Sequence, residues 1–197
     1  MFDKETVSVY NKKIKDYVKL VDRAPGSALR DFVKKIELNG LVLDLGCGPG
    51  NASDYMTSQG LRVDATDASH EMINLARKKY GLLARVMAFS DLSEENRYDG
   101  VWANFSLLHA AKVDFGIHLK AINKALKSGG YFCLGMKLGT GEKRDRLGRF
   151  YAYYSRSELI DALQDGGFAL KSEYMGEEKG LVGSVEPWII LQSRKDN

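Results

Sequence analysis

Apolar positions along this chain alternate between two periods. Over residues 4–22 and again over 27–38 they recur at helical spacing. This predicts two amphipathic helices parted by Pro25-Gly26, with Ser27 capping the second. From about residue 40, short apolar runs take over and alternate with further helical stretches. Strands are expected at about 40–45, 61–66, 83–88 and 98–104, and over YFCLGMK at 131–137. Helices are expected at about 50–59, from Ser69 onward and at about 113–127. They close at Gly60, at Gly81 and at Gly129-Gly130. Met72, Ile73, Leu75 and Ala76 fall on the inner side of the middle one. A last helix runs from a cap at Ser155 or Ser157 to Gly166-Gly167. Two strands at about 168–175 and 185–193 then read as a hairpin. The polar connector SDLSEENRYD and a charged, aromatic-rich insertion at 139–153 interrupt the pattern. Strands alternating with helices predict an α/β fold: a doubly wound, Rossmann-like sheet of seven strands, mostly parallel, with an antiparallel C-terminal hairpin.

The connection after the first strand carries the most chemistry. LVLDLGCGPG at 41–50 is an apolar run ending in Asp44, followed by Gly46, Gly48 and Gly50 at alternate positions. Such glycines permit a sharp turn, the approach of backbone to a ligand and close strand–helix packing. Asp67 stands twenty-three residues after Asp44, at the end of the second strand. An acid there is placed to hold the hydroxyls of a ribose. A dinucleotide site would use G-x-G-x-x-G and aim N–H groups at a pyrophosphate. Here the third glycine comes one residue early, Pro49 has no N–H, and Asp44 would repel a diphosphate. The same charge would attract a cationic amino group, which S-adenosylmethionine has. The expected cofactor is therefore S-adenosyl-L-methionine, with a nicotinamide dehydrogenase as the rival reading.

These segments resemble the class I S-adenosylmethionine-dependent methyltransferases. DLGCGPG and ATDASHEMINLAR are similar to the first two motifs of that family. YDGVWANFSLLHA is similar to its fourth-strand motif, and ALKSGGYFCLGMK to its turn into strand five. GTGEKRDRLGRFY resembles a subgroup of small bacterial members, mostly uncharacterised. The resemblance implies a cofactor site built from Asp44, Gly46, Cys47, Gly48, Asp67, Ala68 and Met72. Phe89 and Ser90 would lie near the adenine, and Asn104 at the end of strand four. It also implies that residues 1–39 lid a core at 40–197 within one domain, with Tyr10 at the cofactor; the alternative is that Tyr10 and Tyr17, which share one helix face, only pack the helix down. The family often has an Asp that meets the adenine amine after strand three; this chain has Met87-Ala88-Phe89-Ser90-Asp91.

Composition adds exclusions. The chain has 197 residues, 44% hydrophobic and 28% charged, with a net charge of +3. That suits one globular core, and the small charge offers no concentrated basic face for nucleic acid. Cys47 and Cys133 sit in apolar segments, have no metal-ligand spacing and read as reduced thiols. No metal is expected. The polar start MFDKETVSVYNKK and the lack of a long apolar run point to a cytoplasmic protein with no membrane partner, monomeric or homodimeric.

The candidate catalytic base is His109, in the loop after strand four; the alternative is a histidine that only packs that loop. His70 and His118 read as surface residues, and Trp102 and Trp188 as core. In the insertion, Arg144 and Arg149 can fork a carboxylate or phosphate, and Tyr153 can wall an organic ring. The alternative there is a solvated loop in which Glu142 and Asp145 pair the arginines. The expected activity is methyl transfer to a small molecule, an anionic one if the insertion binds it. A cofactor-binding sensor or assembly module is the second reading.

Overall fold

The computed structural model describes residues 3–196. Among them a seven-stranded sheet runs in the order β3-β2-β1-β4-β5-β9-β8. Its first five strands are β1 (Leu41–Leu45), β2 (Arg62–Asp67), β3 (Ala84–Val86), β4 (Tyr98–Asn104) and β5 (Leu126–Lys137), all parallel. β8 (Phe168–Lys179) and β9 (Val185–Lys195) form the expected antiparallel hairpin, and β9 inserts antiparallel beside β5. The central strands are apolar on both faces because helices cover both. Phe32 and Trp102 pack on one side at 5.3 Å; Phe132 and Phe168 pack on the other at 5.0 Å.

The crossover helices are α4 (Asn51–Ser58), α5 (His70–Tyr80), α6 (Lys112–Ala125) and α7 (Arg156–Asp165). Ser69 caps α5 by accepting the Met72 N–H at 3.0 Å, and Gly81 ends that helix in the left-handed region. Ser155 caps α7 in a reciprocal box with Glu158.

Four local expectations change. The helix expected over 4–22 is two: α1 (Lys4–Lys12) and α2 (Ile14–Val21), broken at Lys13. On a straight helix, Tyr10 and Tyr17 would be about 10 Å apart along the axis. The break brings their rings edge to face at 5.0 Å. α3 spans Ser27–Lys34 with Gly26 at the cap position, so Ser27 is its first residue and it stops short of 38. α6 ends at Ala125, and Leu126 already pairs with Tyr98, so Gly129-Gly130 lies in a register shift of β5. Lys195 donates to the Asn123 and Leu126 carbonyls and so caps α6 from β9. The insertion is a small antiparallel hairpin, β6 (Glu142–Arg144) and β7 (Phe150–Ala152). No helix among the described residues is long and apolar enough to cross a membrane.

Candidate active site

The carboxyl ends of β1, β2 and β4 meet at one edge of the sheet, the switch point where a doubly wound fold binds ligands. α1, α2 and the β6–β7 hairpin lie over that edge. Three cavities open there, enclosing about 830, 640 and 1490 Å³ of non-protein space, part of it open to solvent. Tyr17 and Phe105 line all three. Phe105 has φ of 56°, a left-handed backbone uncommon for a bulky residue. Its N–H donates to the Gly135 carbonyl at 3.0 Å, which holds the loop after β4 in place.

The first cavity contains Gly46, Gly48, Asp67, Ala68, Met72, Phe89 and Ser90. The Asp67 carboxylate accepts the Gly48 N–H at 2.9 Å through Oδ2 and the Ser69 N–H at 2.8 Å through Oδ1. Each oxygen keeps a lone pair for a ligand. Burial raises its pKa, against those two N–H donors. Gly46 has φ of 83°, and a Cβ there would fall 2.3 Å from the Ser106 side chain. At Gly48, φ is 52° and the nearest neighbour of a Cβ is the Tyr17 ring at 3.7 Å, so this backbone faces open space. Phe89 meets His118 edge to face at 5.8 Å. His118 is buried against the cavity, not on the surface as its helix position suggested.

Asp44, Cys47 and Asn104 line the third cavity. Asp44 is 2% exposed, accepts the Ser53 hydroxyl at 2.6 Å, and is pushed up to about 7 by burial, with the Asp67 charge adding. The buried Asn104 Oδ1 has no protein partner.

Tyr10 and His109 stand in the first cavity, with Tyr10 also facing the second. His109 Nδ1 lies 2.6 Å from the Phe150 carbonyl, which only accepts, so Nδ1 carries the proton. Burial pushes this histidine down to about 4, so it is neutral at pH 7. Its Nε2 therefore accepts the Tyr10 O–H, at 2.9 Å. Arg149 Nη1 donates to the Tyr10 oxygen at 3.1 Å. Arg149 is only 3% exposed and is held by Asp145 Oδ2 at 2.9 and 2.7 Å through Nε and Nη2.

Arg144 lines none of the three cavities. Its guanidinium pairs with both oxygens of Asp3, at 3.1 and 2.7 Å, and with Glu5 at 3.2 Å. Its fork is thus filled by α1 rather than open to an acceptor, as the insertion pattern had suggested. Tyr153 is also outside the cavity walls, and its hydroxyl donates to Glu186 at 3.2 Å. Trp188, expected in the core, lines the second and third cavities. Phe105 and Ser106, which follow the end of β4 and fall in the 104–109 stretch expected to shape the acceptor pocket, both line the first cavity.

Residues 42–130 match the family model described as a methyltransferase domain. An uncharacterized methyltransferase of Schizosaccharomyces pombe is 30% identical over 183 residues, 85% of this chain and 69% of that protein. The 2-heptyl-1-hydroxyquinolin-4(1H)-one methyltransferase of Mycobacteroides abscessus is 24% identical, covering 87% of this chain and 86% of that one. The fold is similar to that of 1,6-didemethyltoxoflavin-N1-methyltransferase from Burkholderia thailandensis, solved with S-adenosylhomocysteine. The TM-score is 0.74 at 24% identity, over 97% of this chain and 85% of that one. The chain belongs to the class I S-adenosylmethionine-dependent methyltransferases.

Proposed function

We propose that this protein methylates a small molecule, using the first and third cavities for S-adenosylmethionine and the second for the acceptor. When bound, S-adenosylmethionine supplies a methyl group already activated by its sulfonium. The residues present fit it. Asp67 has two lone pairs left for two ribose hydroxyls, and Gly48 leaves room for a ligand against its backbone. Asp44 is a buried carboxylate that a cationic amino group would stabilise in its charged form. Met72, Phe89 and Ala68 would hold the adenosine, with Gly46, Cys47 and Asn104 at the amino-acid end.

The observation that carries the catalytic reading is the Tyr10–His109 pair at the junction. The Tyr10 oxygen donates to His109 and accepts from Arg149, and the Tyr151 side chain is hydrogen-bonded to it as well. An acceptor X–H would take the place of the Tyr151 contact to be oriented by this oxygen. A proton leaving the acceptor would pass to Tyr10 Oη and from it to His109 Nε2. α1 and α2 exclude water above the site. The sensor reading has no use for such a pair.

Two relatives act on heterocycles by name, which supports a small-molecule acceptor here. The test is thermal stabilisation by ligand. S-adenosylhomocysteine should raise Tm by mass action, while NAD and NADP leave it unmoved. Stabilisation by NAD alone would overturn the reading.

A further inference from the structure

The second cavity has walls that the methyl donor does not explain. It leaves the junction at Tyr17 and Phe105 and opens between α2 and the turn of the β8–β9 hairpin. Aromatic rings form its inner end. Phe105 meets Trp188 edge to face at 6.1 Å, and Tyr10 meets Tyr17 at 5.0 Å. Gly176 makes room for the indole: a Cβ there would fall 2.5 Å from the Trp188 ring, so glycine lets the ring lie on β8. Leu20, Val21 and Leu181 add apolar wall on α2 and the hairpin turn.

Charge is built into the same wall. Arg149 lies 5.2 Å from the ring centres of both Tyr10 and Tyr151, and Lys137 lies 4.1 Å from that of Tyr151. Lys137 pairs with Glu186 and Arg149 with Asp145, so neither is a bare charge. With Asp145 counted against Arg149, four cationic side chains at this cavity stand against three anionic ones, and Arg23 pairs with Glu178, so the excess is one positive charge.

Building on the methyltransferase reading of this site, we propose that the second cavity takes a planar hydroxylated aromatic ring that enters as its anion and carries an apolar substituent. The ionised oxygen sits at the inner end beside the Arg149 guanidinium. The ring stacks on Trp188 and meets Phe105 at its edge, and the substituent runs toward Leu20 and Leu181. Aromatic walls favour an aromatic ligand, which can stack on one ring and meet another edge-on, since ring pairs gain beyond their buried area. The cationic excess suits a monoanion. An acceptor that arrives ionised has no proton to give up, so it would not call on the Tyr10–His109 relay that a protonated acceptor would use. In the transfer the oxygen lone pair forms the new O–CH₃ bond as the S–CH₃ bond breaks, with its electron pair staying on sulfur. Anion and sulfonium become a neutral ether and a neutral thioether.

The test uses the full chain with S-adenosylmethionine and four probes: 1-hydroxyquinolin-4-one, its 2-heptyl derivative, 4-nitrophenol and phosphoethanolamine. S-adenosylhomocysteine formation is read for each, and binding to the S-adenosylhomocysteine complex by saturation-transfer NMR. The three ring probes should bind and be methylated, with the heptyl chain lowering KM by roughly tenfold or more. Phosphoethanolamine should do neither. The variant Lys137→Gln removes one positive charge from the wall while its amide can still donate to Glu186. It should raise KM for the ionised ring roughly tenfold and leave S-adenosylhomocysteine affinity unchanged. Turnover of phosphoethanolamine alone, or rings that fail to bind, overturns the acceptor class and leaves the methyltransferase reading standing. A protein that binds no S-adenosylhomocysteine overturns both.

Discussion

The Tyr10 hydroxyl lies 2.9 Å from His109 Nε2, although ninety-nine residues separate the two in sequence. The Phe150 carbonyl fixes the histidine tautomer, and Arg149 supplies a second contact to the phenol oxygen. Three separate segments thus converge on one hydroxyl beside the expected methyl position. If the pair works as a unit, Tyr10→Phe and His109→Gln should each lower kcat/KM by about 10²-fold for a weakly acidic acceptor. The double variant should be little worse than either single one. Additive losses, or loss of S-adenosylhomocysteine affinity in place of kcat, would assign the pair to packing.

Asp44 and His109, two of the buried titrating groups, make opposing contributions to the stability profile. Native Asp44 keeps its proton up to about 7, while the unfolded carboxyl releases it near 3.8. The native state therefore binds more protons between these values, and stability falls as pH rises through them. His109 acts in the opposite sense. The unfolded imidazole charges near 6.5 and the native one only near 4, so its contribution is lost as pH falls from 6.5 to 4. In the wild type the two oppose each other. Asp44→Asn should gain stability from pH 4 to 6.5, by on the order of 1–3 kcal/mol. His109→Gln should lose it from pH 4 to 7. Urea titrations across this range check both; a flat profile for Asp44→Asn would mean that His109 is not held neutral.

The β6–β7 hairpin fastens α1 through Arg144 on Asp3 and Glu5, and through the Phe150 N–H on Thr6 Oγ1 at 2.8 Å. The hydrogen bond to Arg144 holds the Asp3 carboxyl well below the usual range. If α1 and α2 form the lid, Arg144→Ala should speed amide exchange over residues 4–21. It should also weaken S-adenosylhomocysteine binding several-fold without unfolding the sheet. Unchanged exchange in this segment would make the contact incidental.

Much of this was legible in the sequence. That Gly46, Gly48 and Asp67 meet in one cavity was legible because a tight turn, an open backbone and an acid at a fixed spacing are local properties. β4 was legible because a short apolar run, at 101–103, ends at the polar Asn104. The break at Lys13 was not legible: no glycine or proline marks it, and it brings two tyrosines together through tertiary packing. Arg144 and Arg149 read alike in sequence. One turns to α1 and the other is buried against Tyr10, a difference set by which carboxylate reaches each fork. His118 looked exposed because its helix has a wide polar face, yet the helix packs that position over the first cavity.

The most direct test of the whole account is the affinity of S-adenosylhomocysteine for wild type and for Asp67→Ala, measured by calorimetry. The two lone pairs left on the Asp67 carboxylate should each hold a ribose hydroxyl. Losing them should weaken binding by about 1.5–3 kcal/mol, with melting and circular dichroism showing the variant folded. Unchanged affinity in a folded Asp67→Ala protein would place the cofactor elsewhere and contradict the account.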